Sequence, residues 1–137
     1  WRLLSVVVIV FGIFAIGVAG EDSGFKFSAR EHIARISIEG LITDDRKKIK
    51  LLNGARDSDK VKAVIVWINS PGGTTTGSET LFEAIREISA VKPVVTVLGT
   101  VAASGGYIAA VAGDYVVARG NTITGSIGVI FQCGHIT

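Results

Sequence analysis

Residues 61–73 read Val-Lys-Ala-Val-Ile-Val-Trp-Ile-Asn-Ser-Pro-Gly-Gly. Val61 to Ile68 is a continuous β-branched run apart from Lys62, Ala63 and Trp67. Such a run predicts a central strand. Asn69 to Gly73 then reads as a loop, with two glycines behind a proline. Past it, Leu81, Phe82, Ile85 and Ile88 recur at helical spacing within residues 78–90, and Glu79, Glu83, Arg86 and Glu87 fall largely on the other side. Pro93 sets the next boundary.

The same order repeats downstream. Val94 to Leu98 predicts a second buried strand, Ala102-Ala-Ser-Gly-Gly-Tyr107 a second glycine-flanked loop, and Ser104 to Ala112 a helix of small side chains. Tyr115 to Ala118 predicts a third short strand. Gly120-Asn121 is a turn, and Ile123 to Phe131 is a further extended segment. Upstream, Ala34, Ile36 and Ile38 alternate with Arg35, Ser37 and Glu39, which predicts a half-buried strand ended by Gly40. Thr43-Asp44-Asp45 starts a helix whose apolar face holds Ile49, Leu52 and Ala55. Strands alternating with helices in this way imply parallel pairing through right-handed crossovers, so the fold class is α/β.

The 137 residues suffice for one domain, and 48% hydrophobic against 19% charged residues excludes a disordered chain. The net charge is +2, and no basic stripe is interleaved with aromatics, so nucleic acid is not expected as a partner. The densest basic run, Arg46 to Lys50, reads as a solvated helix face. Cys133 is the single cysteine, which excludes an internal disulfide. His32 and His135 match no ligand spacing, so neither a metal nor another cofactor is expected.

Leu3 to Gly20 is an 18-residue uncharged run. As a helix it would cover about 27 Å, close to a bilayer core. Arg2 before it and Glu21-Asp22 after it place the amino end in the cytoplasm. Residues 1–22 are therefore expected to be a transmembrane anchor, the alternative being a signal peptide with Val18-Ala19-Gly20 as its cleavage site. Residues 23–32 read as a linker and 33–137 as the main domain. Beginning at Trp1 and ending after a strand-like run, the sequence reads as a fragment at both ends.

Two loops carry the chemistry. The run from Gly72 to Ser78 is not a nucleotide loop, because Ser78 stands where that loop needs its lysine. Gly72 and Gly73 suit an oxyanion donor, since glycine lets a backbone N–H approach closely; an ordinary strand-to-helix turn is the alternative. Ser104 sits where a strand meets a helix, with Gly105 behind it. It can be a nucleophile whose developing charge the helix start would stabilise, or a helix cap. A serine nucleophile needs a base. His32 lies ahead of the core, Lys60 and Lys62 flank a strand, Lys92 reads as a solvated cation at a helix end, and Asp114 has no neighbouring histidine.

Val61 to Gly73, Ala102 to Tyr107 and Thr124-Gly-Ser-Ile-Gly-Val-Ile130, in this order, resemble the SppA-type signal peptide peptidases (protease IV) of the ClpP/crotonase superfamily. The resemblance covers the anchor and residues 33–132. It implies repeated β-β-α units with a mainly parallel sheet, and a serine–lysine dyad. By position, Ser104 would be the nucleophile, Gly73 and Gly105 the oxyanion donors, and Ser126 the residue that orients the lysine. The lysine would lie beyond Thr137, so the protease domain would be incomplete at its carboxyl end. Phe131 stands where ClpP relatives have a histidine, consistent with a lysine-type site. Cys133 to Thr137 departs from the family, and Cys133 and His135 carry no expected role.

The resemblance thus implies a membrane-anchored serine endopeptidase that degrades remnant signal peptides. Its substrates would be extended apolar peptides, its partners the membrane and further copies of itself. Its location would be the bacterial inner membrane, with the catalytic domain on the extracytoplasmic side. A rival reading is a non-catalytic membrane scaffold lacking the lysine. A crotonase-type acyl-thioester enzyme would share the oxyanion logic, but Leu3–Gly20 argues against it.

Overall fold

The computed structural model describes residues 30–128. The expected anchor at Leu3–Gly20 and the positions Phe131, Cys133 and His135 lie outside the described residues. Five strands form one sheet: β1 (His32–Ile42), β2 (Val61–Gly73), β3 (Val94–Ala103), β4 (Tyr115–Val117) and β5 (Ile123–Gly125). The order is β1-β2-β3-β4, with β5 beside the far end of β3, and every pairing is parallel. The α/β reading with a parallel sheet therefore holds. Among the described residues no helix is long and apolar enough to cross a membrane.

Three helices connect the strands: α1 (Arg46–Asp57), α2 (Thr75–Ser89) and α3 (Gly105–Ala110). Asp45 caps α1 by accepting from the Lys47 and Lys48 N–H groups, which also holds its carboxyl below the usual range, chiefly through the Lys48 N–H. Thr74 caps α2 through the Gly77 N–H, and the helix begins at Thr75, three residues ahead of the expected start at Ser78. Leu52 and Ala55 of α1, Leu81, Ala84, Ile85 and Ile88 of α2, and Ala109 and Ala110 of α3 pack in one cluster with Val64, Val66, Ile68, Val94 and Leu98 of the sheet. At roughly 1.5–3 kcal/mol per fully buried large aliphatic side chain, this layer is the main source of stability.

The other face of the sheet is more open. Ile65, Trp67, Val95 and Val97 alternate with the core residues and are half-buried, while Tyr115, Val117 and Ile123 are exposed. Among the described residues, helices thus cover one face of the sheet only. Arg35 lies over Trp67, 5.5 Å from the ring centroid.

Two other corrections concern strand ends. Gly40 does not end β1. It adopts φ +69° at a register shift between Glu39 and Leu41, and pairing resumes with Leu41 and Ile42 against Gly72 and Gly73. The segment from Asn69 to Gly73 is accordingly strand rather than loop, because β1 supplies it with a partner.

At the opposite end of the sheet, Lys92 is not a free terminal cation. Its ammonium donates to the carbonyls of Ala55 and Ser58, at 2.8 and 2.6 Å, and so closes the end of α1. Asp114 is a structural carboxylate: Oδ1 accepts from the Ser89 hydroxyl at 2.6 Å and Oδ2 from the Val94 N–H at 2.8 Å. The Ser89 hydroxyl, then the Val94 N–H, lower its pKa against the opposing effect of burial, with Arg86 adding a smaller pull. A depressed folded-state pKa contributes stability that is complete above about pH 4 and is lost as pH falls through the folded value. Asp114→Asn is therefore expected to lower the thermal midpoint at pH 7 and to leave a smaller difference from the parent at pH 3. Equal differences at the two pH values would contradict that role.

Candidate active site

The site is built where β2 and β3 part. Ile68 pairs with Leu98, but the next partners are Ser70 and Ala102, so β3 carries two extra residues at that point. Asn69 spans the break: its Oδ1 accepts from the Thr100 and Val101 N–H groups at 3.1 and 3.2 Å. From the far side, Thr122 donates to the Gly99 carbonyl at 2.9 Å and Thr124 to the Ala102 carbonyl at 3.0 Å. Before the break β3 pairs with β4, after it with β5. This kink delivers Ala103 and Ser104 to the carboxyl edge of the sheet, where α/β folds place their ligands.

Ser104 stands between β3 and α3 with φ +51° and ψ −119°, and its side chain makes no capping hydrogen bond. Ser104 thus stands at the N-cap position of α3, its carbonyl accepting from the Tyr107 and Ile108 N–H groups while its hydroxyl makes no cap bond. Its N–H donates to the Gly125 carbonyl at 2.8 Å. Ser126 follows that glycine, is exposed, and has φ +53°. Ser104 and Ser126 are the two non-glycine residues with positive φ among the described residues. Backbone held in this region costs about 1–3 kcal/mol and concentrates at functional sites.

The first glycine loop meets the second. Ser70 is fully buried, and its Oγ accepts from the Gly72 N–H at 3.0 Å, turning the strand through Gly72 at φ +109°. A Cβ built on Gly72 would lie 2.8 Å from Ser104 Cβ and 2.9 Å from Gly105 N; one built on Gly105 would lie 3.4 Å from Gly73 N. A Cβ on Gly106 would lie 2.7 Å from the Ser70 carbonyl oxygen. Gly72, Gly73, Ser104 and Gly105 thus converge, with Ser126 beside them through Gly125. The Gly105 N–H heads a helix and has no intrahelical partner there. Such a cluster can hold a carbonyl oxygen on backbone amides while a hydroxyl attacks its carbon.

His32 does not join them. It starts β1 opposite Val61, whereas the site lies past Ile42, about 33 Å along the strand at ~3.3 Å per residue. Its Nδ1 bonds the Arg30 carbonyl. Lys62, paired with Glu31 at 3.1 Å, and Lys92 also occupy that far end. The residues missed by sequence reasoning are Asn69, Ser70, Thr122 and Thr124. Short polar side chains flanking a Pro-Gly-Gly turn were the available signal for the first two, since such side chains bond nearby backbone; for the threonines there was none.

A parallel α/β scaffold with a strained serine and glycine amides at the carboxyl edge of its sheet has the form of a serine hydrolase. Residues 86–137 match the model of peptidase family S49. The chain is 37% identical over 113 residues to Protease 4 of Haemophilus influenzae, covering 75% of this chain and 18% of that one. It is 43% identical over 82 residues to the chloroplastic serine protease SPPA of Arabidopsis thaliana, covering 60% of this chain and 12% of that one. The chain thus spans less than a fifth of the length of either relative. Among solved structures, the 1510-N membrane-bound stomatin-specific protease superposes with a TM-score of 0.62 at 18% identity, over 79% of this chain and 53% of that one, a likeness of fold. Over the matched residues the chain is thus similar to the S49 peptidases of the SppA, or protease IV, type.

Proposed function

We propose that the protein is a serine endopeptidase in which Ser104 attacks a peptide carbonyl and the Gly73 and Gly105 N–H groups hold the resulting oxyanion. The observation that carries this reading is Ser104 itself: a half-buried hydroxyl, free of any capping bond, on strained backbone and packed against Gly72 and Gly105. The general base would be a lysine beyond Thr137, its amine oriented by Ser126 and kept neutral by burial. The proton of Ser104 would pass to that amine and then to the leaving nitrogen, and water would release the acyl group.

The substrate would be an extended apolar peptide. Past Ser70, the strip from Pro71 to Gly73 has lost β3 as a partner while β1 still pairs its other side. On this reading a peptide would pair with the strip by strand addition. Leu41, paired with Gly72, and Ile127, next to Ser126, are 66% and 60% exposed and offer apolar walls. With Leu3–Gly20 read as an anchor, the site would stand at the outer face of the bacterial inner membrane and clear remnant signal peptides. The enzyme would work as an oligomer of identical chains.

Labelling tests the nucleophile. A fluorophosphonate with an apolar tail, applied to the intact protein, is expected to mark Ser104 in a peptide map. Absence of label there would favour the non-catalytic scaffold.

A further inference from the structure

We propose that Ser78 is a positioning residue of the oxyanion hole and is the reason residue 105 is glycine. This rests on the reading of Gly73 and Gly105 as oxyanion donors.

The first turn of α2 is held in place on two sides. A Cβ on Gly77 would lie 2.7 Å from the Thr43 carbonyl carbon, so this turn sits directly on the segment that follows β1. Thr74 accepts the Gly77 N–H on its hydroxyl at 3.2 Å and receives both the N–H and the hydroxyl of Ser78 on its carbonyl, at 3.0 and 2.8 Å. That second bond to the carbonyl four residues back fixes the Ser78 rotamer. Ser78 is 1% exposed. Its hydroxyl oxygen occupies the place of a side chain at 105: a Cβ on Gly105 would lie 2.0 Å from Ser78 Oγ and 3.0 Å from Ser78 Cβ.

The backbone does not explain this glycine. Gly105 lies outside the positive-φ set, unlike Gly72 and Gly125, so alanine could adopt its conformation. Ser78 alone keeps the methyl out. The consequence is geometric. α2 follows directly on Gly73 and α3 begins at Gly105, so a serine wedged between their first turns sets the distance between the two donor amides. Oxyanion donors act over about 2.7–3.1 Å, and a displacement of a few tenths of an ångström at this wedge falls on the rate.

The test uses the intact protein and four forms: parent, Gly105→Ala, Ser78→Gly and the double variant. Steady-state hydrolysis of an apolar peptide well below the melting temperature gives kcat and KM, and fluorophosphonate labelling reports Ser104. Gly105→Ala is expected to lose about 10²-fold in kcat with KM within about threefold, the mark of an interaction made in the transition state. Ser78→Gly opens room for the methyl, and the double variant should recover at least about tenfold over Gly105→Ala, a non-additive pair as expected for residues in contact. A double variant no faster than Gly105→Ala would overturn the proposal. So would a Gly105→Ala protein that melts earlier but keeps its kcat, which would make the pair purely structural. Failure of the parent to label at Ser104 would instead strike the underlying reading of the site.

Discussion

Replacing Ser104 by glycine is expected to abolish peptide hydrolysis and yet to leave a more stable protein than Ser104→Ala. On the proposed mechanism, loss of the hydroxyl removes the nucleophile from both variants, and a fall of about 10⁶-fold in kcat is the scale for a serine acting within a catalytic unit. The stability difference has another origin. The φ of +51° and ψ of −119° at this position match the first central residue of a type II′ turn, which glycine adopts freely and L-residues with a Cβ do not. Strain of this kind costs about 1–3 kcal/mol, and glycine gives back about 0.5–1 kcal/mol through its greater freedom when unfolded. The net advantage of glycine over alanine is therefore about 1 kcal/mol. Urea midpoints for the two variants would measure it. Equal midpoints would mean that the backbone at Ser104 holds no strain, and the site would lose its main physical mark.

The strand and helix order was legible because each signal was local. The β-branched run at 61–68, the helical spacing of Leu81, Ile85 and Ile88, and the capping Asp45 need no tertiary information. What was not legible depended on partners. Asn69 to Gly73 reads as a loop until Leu41 and Ile42 pair with its glycines. The odd-numbered residues of β2 are as apolar as the even ones, so hydropathy alone could not tell the face under the helices from the open one. At Ser104 the sequence supports cap and nucleophile equally, and it could not show the positive φ or the hydroxyl's missing cap bond. Lys92 reads as solvated because its acceptors, the carbonyls of Ala55 and Ser58, lie on a different helix end far back in the chain. The family motifs pointed to Gly73, Gly105 and Ser126 as a group; Gly73 and Gly105 approach each other, and Ser126 follows the Gly125 whose carbonyl accepts the Ser104 N–H. They could not reveal Ser78, whose part in the geometry exists only through its contact with Gly105.

Gly73→Ala is expected to be the most damaging glycine substitution, and one that no second substitution relieves. A Cβ there would lie 1.8 Å from the Ile42 carbonyl oxygen, 2.5 Å from its carbon and 2.7 Å from Ile42 Cα. All three are backbone atoms of β1. None can rotate away, so the end of β1 must move. That carbonyl also accepts the Thr74 N–H at 2.9 Å, and Thr74 caps α2. A methyl group at 73 therefore disturbs the strand pair, the helix start and the donor amide together. Overpacking of this type costs about 1–3 kcal/mol of stability. A displaced oxyanion donor costs about 10²–10³ in rate. The contrast with Gly105 is the discriminating feature. There the obstacle is a side chain, and trimming Ser78 removes it; at 73 the same Ser78→Gly change is expected to restore nothing. Melting curves and kcat for Gly73→Ala, alone and with Ser78→Gly, would separate the two cases. Activity within about threefold of the parent in Gly73→Ala would contradict this expectation, since a displaced oxyanion donor costs far more.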